Sequence, residues 1–159
     1  MNFLTKREHQ VLVKGFKSKI FLLVSGVPQG SVLGPLLFLI FIGDISEGVT
    51  ATILIYVDDS KVTKNIRNLE DVEELQKNLD RIYLWEKSNN MQFNGGKFFV
   101  LRYGSDQNIK ENSIYFTGEM QDVILQVDQT CDLGVIMQDD ASFSLQLEKV
   151  AKKIKQKCG

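Results

Sequence analysis

At 159 residues with 43% hydrophobic content, the chain has enough apolar material for one packed domain, and its formal net charge of −1 gives no global pull toward a polyanion. Any nucleic-acid surface must therefore be a local patch. Cys131 and Cys158 fit no metal-ligand spacing and imply a reducing compartment without disulfides, and one histidine, His9, excludes a histidine-rich metal centre.

The N-terminus lacks a basic region followed by an apolar core and a small-residue cleavage site, so no secretory signal is read. An intracellular location, nuclear or cytoplasmic, is expected. Gln10 to Val13 and Ile20 to Val24 are short apolar runs flanking Lys14-Gly15-Phe16-Lys17-Ser18, which predicts a hairpin with Gly15 in its turn. Lys14 and Lys17 are then either solvated turn lysines or cations facing phosphates. Ser25 to Gly30 reads as a loop, in which the glycines permit positive φ and close approach by a ligand, Pro28 fixes a turn, and Gln29 offers both donor and acceptor. Val32 to Ile42 is nearly all apolar and too short to cross a bilayer, with Pro35 where a first helical turn tolerates it; a buried core helix is expected. Asp44 reads as a cap or turn acid.

Ile53-Leu54-Ile55-Tyr56-Val57-Asp58-Asp59 is a short β-branched and aromatic run ending in two adjacent carboxylates, and the polar segment Ser60 to Asn65 can fold back against it. This predicts a buried strand that delivers acids to a hairpin tip. Adjacent strand residues point to opposite faces, so both acids serve one metal cluster only if the chain turns at Asp58 or Asp59. Unneutralised, they repel by roughly 1 to 4 kcal/mol at contact distance. A divalent cation removes that repulsion, and Mg²⁺, which takes one or two carboxylates and fills its shell with water and phosphate oxygens, is the natural ion, with Mn²⁺ as the alternative. Asp139-Asp140 is an internal control, since acids before an amphipathic segment need no catalytic explanation.

Asn68 begins the clearest helix, as an N-cap followed by Glu70, Asp71, Glu73 and Glu74. Leu69, Val72, Leu75, Leu79, Ile82 and Tyr83 form one apolar stripe, and Asn89-Asn90 ends the helix beyond Trp85. Phe93-Asn94-Gly95-Gly96-Lys97 is a turn leading into a strand from Phe98 to Tyr103. Short strands are expected over Ile114 to Phe116, Val123 to Val127 and Leu133 to Met137, joined by turns such as Gly118-Glu119. In the last segment Leu147, Val150, Ala151 and Ile154 share a helical face, while Lys149, Lys152, Lys153, Lys155 and Lys157 cover much of the rest, either as a solvated face or as a surface for a phosphate backbone.

The segment Gly26-Val27-Pro28-Gln29-Gly30-Ser31-Val32-Leu33-Gly34-Pro35-Leu36-Leu37-Phe38, joined to Tyr56-Val57-Asp58-Asp59, resembles the palm of reverse transcriptases. Leu39 to Ile45, Leu75-Gln76, Leu79-Asp80, Trp85, Phe93-Asn94 with Lys97, and Asp132-Leu133-Gly134-Val135 extend the resemblance to the polymerases of non-LTR, LINE-type retrotransposons. Tyr56-Val57 departs from the Phe-Ala more usual there, and Asn90 stands where a second Trp is often found.

The resemblance implies an α+β fold: a partial polymerase palm with an antiparallel sheet carrying Asp58-Asp59, packed helices from Val32 and Asn68, and the start of a thumb. One domain is expected, with palm at about 10–127 and thumb at about 128–159. The implied reaction is RNA-directed DNA synthesis, in which a primer 3′-hydroxyl attacks a deoxynucleotide triphosphate on an RNA template. Asp58 and Asp59 would bind metal, Pro28, Gln29, Gly30, Tyr56 and Val57 would lie against template and nucleotide, and Lys97 would either sit near the nucleotide phosphates as general acid or be a surface lysine flanking its strand. The five C-terminal lysines would track the nucleic-acid backbone. The family's first catalytic Asp should precede Gly26, where the only acid is Glu8, so an upstream polymerase segment with that motif and the fingers is expected to be missing, as in a truncated element copy or a partial gene model. No activity is expected of the 159 residues alone.

Overall fold

The computed structural model describes residues 5–28, 30–57, 59–104, 106–118 and 122–158. It divides into two compact units, one of Met1–Glu47 with Ile53–Lys61, the other of Gly48–Thr52 with Val62–Gly159.

The first unit opens with the expected hairpin. Strand β1 (Arg7–His9) pairs antiparallel with β4 (Phe21–Leu23), and β2 (Leu12–Val13) with β3 (Phe16–Lys17). Lys14 and Gly15 both take positive φ, 48° and 86°, the pattern of a type I′ turn whose twist suits a two-residue hairpin. Ser18 ties the arm at its middle, donating its N–H to Val11 O and accepting the Val11 N–H at Oγ, both at 2.9 Å. Helix α1 (Leu33–Ile42) forms where the apolar run places it, but the expected burial does not follow. Only Gly34 and Ile42 are buried along it, and Leu33, Leu36, Leu39, Ile40 and Phe41 are exposed. A helix apolar on every side needs cover on every side, and strand pairs with no further layer cannot supply it.

Strand β5 (Thr52–Tyr56) and strand β6 (Asp59–Thr63) make a separate two-stranded sheet. Two residues join them, so the pair is an antiparallel hairpin, a parallel crossover needing a dozen residues or more.

The second unit is built on helix α2 (Leu69–Ser88). Asn68 caps it as expected, Oδ1 accepting the Asp71 N–H at 2.9 Å, and Asp71 Oδ2 reaches back to the Arg67 N–H at 2.8 Å. Along the stripe Val72 is buried, Leu75, Leu79, Ile82 and Tyr83 are half-buried, and Leu69 is exposed. Asn89 is the C-cap and Asn90 follows at φ 50°, which ends the helix where the sequence indicates. Strand β7 (Phe99–Leu101) is followed by a short helix, α3 (Gln107–Asn112), and by β8 (Phe116–Thr117) and β9 (Asp122–Val123), which pair antiparallel. Strand β10 (Leu125–Val127) pairs with β7 in parallel, and β11 (Gln129–Asp132) with β12 (Val135–Gln138) antiparallel, before helix α4 (Ser144–Cys158). The Gln76 side chain acts as a strand against β8, accepting the Phe116 N–H at 2.9 Å and donating to Phe116 O at 3.0 Å. Glu119, half of the expected Gly118-Glu119 turn, lies outside the described residues.

The architecture is α+β, but the expected continuous antiparallel sheet is absent among the described residues. The strands instead form six two-stranded sheets. They run for only two to five residues, and none pairs on both edges to carry a sheet onward. No described helix is long and apolar enough to cross a membrane.

Candidate active site

The hairpin tip follows from the alternation of its strands. In β5, Ile53 and Ile55 turn inward while Leu54 and Tyr56 are 56% and 62% exposed, so the strand expected to be buried is covered on one face only. Among the described residues it has one neighbouring strand, and Leu54 and Tyr56 on its second face are left uncovered. Val57 follows at φ 56°, a left-handed conformation that a β-branched side chain strongly disfavours, and Asp59 opens β6 exposed to solvent. A turn between the strands is what the acid pair requires, and Val57 begins it. Asp58 lies outside the described residues.

The Pro-Gln-Gly loop is held through its backbone carbonyls. Gly26 and Gly30 take φ 84° and 77°, so the glycines serve the turn itself. Ser31 Oγ donates to Pro28 O at 2.7 Å and accepts the Gly34 N–H at 3.0 Å, which ties the turn to the first residues of α1. Gly34 lies so close to this turn that a Cβ would stand 2.8 Å from Pro28 O. At the other end Arg7 Nη2 donates to Gly26 O and, at 3.5 Å, to Ser25 O. Gln29 lies outside the described residues. Pro28 is half-buried and Gly30 exposed.

Lys97 ends a 3₁₀ turn, Gly95–Lys97, in the second unit. The rings of Phe93 and Phe98 meet edge to face across this turn at 6.2 Å, and the Lys97 N–H donates to Asn94 O at 2.9 Å. Its side chain is exposed. Pro28, Gly30, Tyr56, Val57 and Asp59 thus belong to the first unit, and Lys97 with the α4 lysines to the second.

Helix α4 is oriented otherwise than its apolar stripe suggests. Leu147, Val150 and Ile154 are exposed, while Leu145 and Gln146 face the sheet, Gln146 Oε1 accepting the Ile136 N–H at 3.0 Å. A groove of about 450 Å³ runs beside the helix, with Gln129, Ile136 and Leu145 among its walls and Lys149, Lys152 and Lys153 along its rim. Lys149 donates to Gly134 O at 3.4 Å, and Lys152 pairs with Glu148 at 2.7 Å, which holds the Glu148 carboxyl below its ordinary value. Lys153, Lys155 and Lys157 are exposed.

A family model described as reverse transcriptase (RNA-dependent DNA polymerase) matches residues 2–136. The chain belongs to the reverse transcriptase family. It is 36% identical over 124 residues to the "RNA-directed DNA polymerase from mobile element jockey" of Drosophila melanogaster, a match covering 70% of this chain and 14% of that protein. The protein of the same name from Drosophila funebris is 35% identical over 105 residues, covering 60% of this chain and 12% of its own length. The chain therefore spans less than a sixth of either curated relative. No solved structure matches significantly. Both relatives are mobile-element polymerases, so the LINE-type retrotransposon character of the family resemblance stands.

The reverse transcriptase family uses divalent metal ions, and Asp58, half of the acid pair, lies outside the described residues. Among the described residues no three of His, Cys, Asp and Glu gather as ligands, and before Gly26 the one acid in the sequence is Glu8. The acid pair at Asp139-Asp140 behaves as the control requires: Asp140 Oδ1 accepts the Ser142 N–H at 2.8 Å, an exposed turn that lowers its pKa through that bond.

Sequence reasoning missed the groups that hold the reverse transcriptase motifs in place. Ser31 and Gly34 carried a signal, since a serine three residues before a helical N–H has cap spacing. Asn78 also carried one, as an amide set beside the apolar stripe of α2: it is fully buried and bonds to Thr50, just before β5. Arg7 carried none, because its contacts are 18 and 19 residues away.

Proposed function

We propose that this chain is a working part of an RNA-directed DNA polymerase: the metal-binding hairpin, the nucleotide-side loop and the beginning of the thumb, insufficient for synthesis without an acid from another strand. The observation that supports it is the tight β5–β6 hairpin with Asp59 at its tip, in a chain that matches the reverse transcriptase family from residue 2 to 136. In this reading residues of about 10–127 form the palm of a single domain and about 128–159 the thumb.

Asp58 and Asp59 would hold Mg²⁺, with Mn²⁺ as the alternative, which would supply the positive charge that offsets the acid pair and attracts nucleotide phosphates. Tyr56 and Val57 shape the tip, and Pro28, Gln29 and Gly30 lie against the template base and incoming deoxynucleotide. The Lys97 ammonium stands near the phosphates and gives its proton to the leaving pyrophosphate oxygen. An RNA template and DNA primer pass along Lys149, Lys152, Lys153, Lys155 and Lys157. Glu8 is the one acid before Gly26, which supports a second reading of the isolated chain as a weak, non-catalytic nucleic-acid-binding module.

Primer extension with Mg²⁺ and an RNA template separates the readings. The chain itself and Asp58→Asn should make no DNA, and the chain joined to a related polymerase's upstream catalytic motif and fingers should make some. Asp58-dependent synthesis by the 159 residues alone would overturn the claim of insufficiency. An inactive joined chain would leave the binding-module reading.

A further inference from the structure

The Pro-Gln-Gly loop is gripped from both ends. On its C-terminal side the grip is local: Ser31 and Gly34 close on Pro28 O from within three to six residues and travel with α1. On its N-terminal side the grip comes from another element, since Arg7 in β1 donates through Nη2 to the carbonyls of Ser25 and Gly26. The register of the hairpin sets this up. Arg7 lies opposite Leu23 on β4, two residues before Ser25, so its guanidinium meets the chain as it leaves the strand. Gly26 takes φ 84°, a turn that directs the loop away from β4. Arg7 is half-buried, and its Nε has no partner among the described residues, a cost accepted to aim the other end of the fork.

We propose that Arg7 is a positioning residue for the Pro-Gln-Gly loop, fixing where that loop stands against template and nucleotide by holding the Ser25 and Gly26 carbonyls. This rests on the polymerase reading of the loop. Arginine suits the task because its planar fork can serve successive acceptors in fixed geometry, whereas the lysine ammonium is a point donor on a flexible stem. Without Arg7 the loop keeps its attachment to α1 but loses its side-chain tie to β1.

Two measurements test this. In the 159-residue chain, amide exchange over residues 25–31 should quicken about tenfold or more in Arg7→Ala, the loss expected for hydrogen bonds from a charged donor, with α1, α2 and the β1–β4 amides unchanged. Arg7→Lys should lie between. In the chain joined to a related upstream segment, Arg7→Ala should raise the nucleotide KM roughly threefold or more while kcat stays within about twofold, the signature of lost placement. Unchanged exchange in the loop overturns the proposal, as does loosening spread equally over α1 and the hairpin, or a fall in kcat with KM unmoved. If the joined wild type makes no DNA, the polymerase reading fails instead, and the exchange result alone decides whether Arg7 sets the loop.

Discussion

Asn78 Oδ1 accepts the backbone N–H of Thr50 at 2.8 Å, and Asn78 Nδ2 donates to Thr50 Oγ1 at 3.0 Å and to Glu74 O at 2.9 Å. This buried amide fastens the residue that leads into β5 to the middle of α2. Neighbouring groups extend the contact: Thr50 Oγ1 donates to Glu74, Lys64 just after β6 pairs with Glu74 at 2.9 Å, and Arg81 donates to Gly48 O. Within the second unit, the segment that leads into β5 and the residue that follows β6 are thus both held by one helix face.

Replacing Asn78 should therefore loosen the hairpin's base more than its burial alone suggests. Asn78→Leu leaves the Thr50 N–H facing an apolar side chain, and a buried unsatisfied donor costs about 1 to 3 kcal/mol. Urea unfolding should show an unfolding free energy lower by that amount, with a correspondingly lower midpoint. A neutral Asn78→Leu would mean that Thr50 finds water instead.

The pH dependence of the same contact has a definite sign. The Thr50 hydroxyl, then Lys64, hold the Glu74 carboxyl below its ordinary value of 4.5. A lowered folded-state pKa contributes stability that is fully present above the unfolded value and is lost as pH falls through the folded one. Thermal melts between pH 7 and pH 3 should show Glu74→Gln flattening the acid limb relative to the parent chain. Glu74 is well exposed to solvent, so the difference should shrink at high salt. An acid limb identical in both proteins would remove Glu74 from the account.

At the hairpin tip, Val57 is held at φ 56° while 60% exposed, so its side chain gains little from packing to offset the backbone strain. Left-handed conformations cost an ordinary L-residue about 1 to 2 kcal/mol, and asparagine bears them best without the chain entropy of glycine. Val57→Asn should raise stability by about 1 kcal/mol, read as a higher urea midpoint. If the valine side chain also shapes the nucleotide side of the tip, the joined polymerase should lose activity as it gains stability, the trade expected of strain kept at a working site.

What the sequence made legible divides by range. The Asn68 cap, the turn at Gly15 and the loop glycines were readable because each is decided within three or four residues. The family was readable from the order of short motifs. Burial was not: α1 and β5 are apolar enough to belong in a core, yet Leu36, Leu39 and Tyr56 face outward, since cover depends on layers that local pattern does not supply. The parallel pairing of β7 with β10 escaped for the same reason, lying across about 25 residues that include a helix (a separation typical of such crossovers). Helix α4 shows the limit most directly. Its periodicity correctly predicts a helix, but Leu147, Val150 and Ile154 on its apolar face stand exposed.

That orientation changes what the five lysines can do. Lys149 is half-buried against Gly134 O and Lys152 is engaged with Glu148, whereas Lys153, Lys155 and Lys157 stand exposed. If α4 follows a nucleic-acid backbone, the last three should carry most of the counterion release. Each phosphate contact contributes about 0.7 to 0.9 to the slope of log K against log salt. Changing Lys153, Lys155 and Lys157 together to glutamine should lower the slope by about 2 to 3, measured with a primer-template duplex between low and moderate salt. Lys149→Gln should leave the slope nearly unchanged while loosening the end of α4 from the β11–β12 turn, visible as faster amide exchange near Gly134. The surface pair of Lys152 with Glu148 is worth little by itself, so Lys152 can be recruited by phosphate at small cost and should show an intermediate effect. Equal slope changes from all five lysines would show that Lys149 leaves Gly134 on binding. No change from any would make the face a solvated one, and the thumb assignment would then lose its electrostatic support.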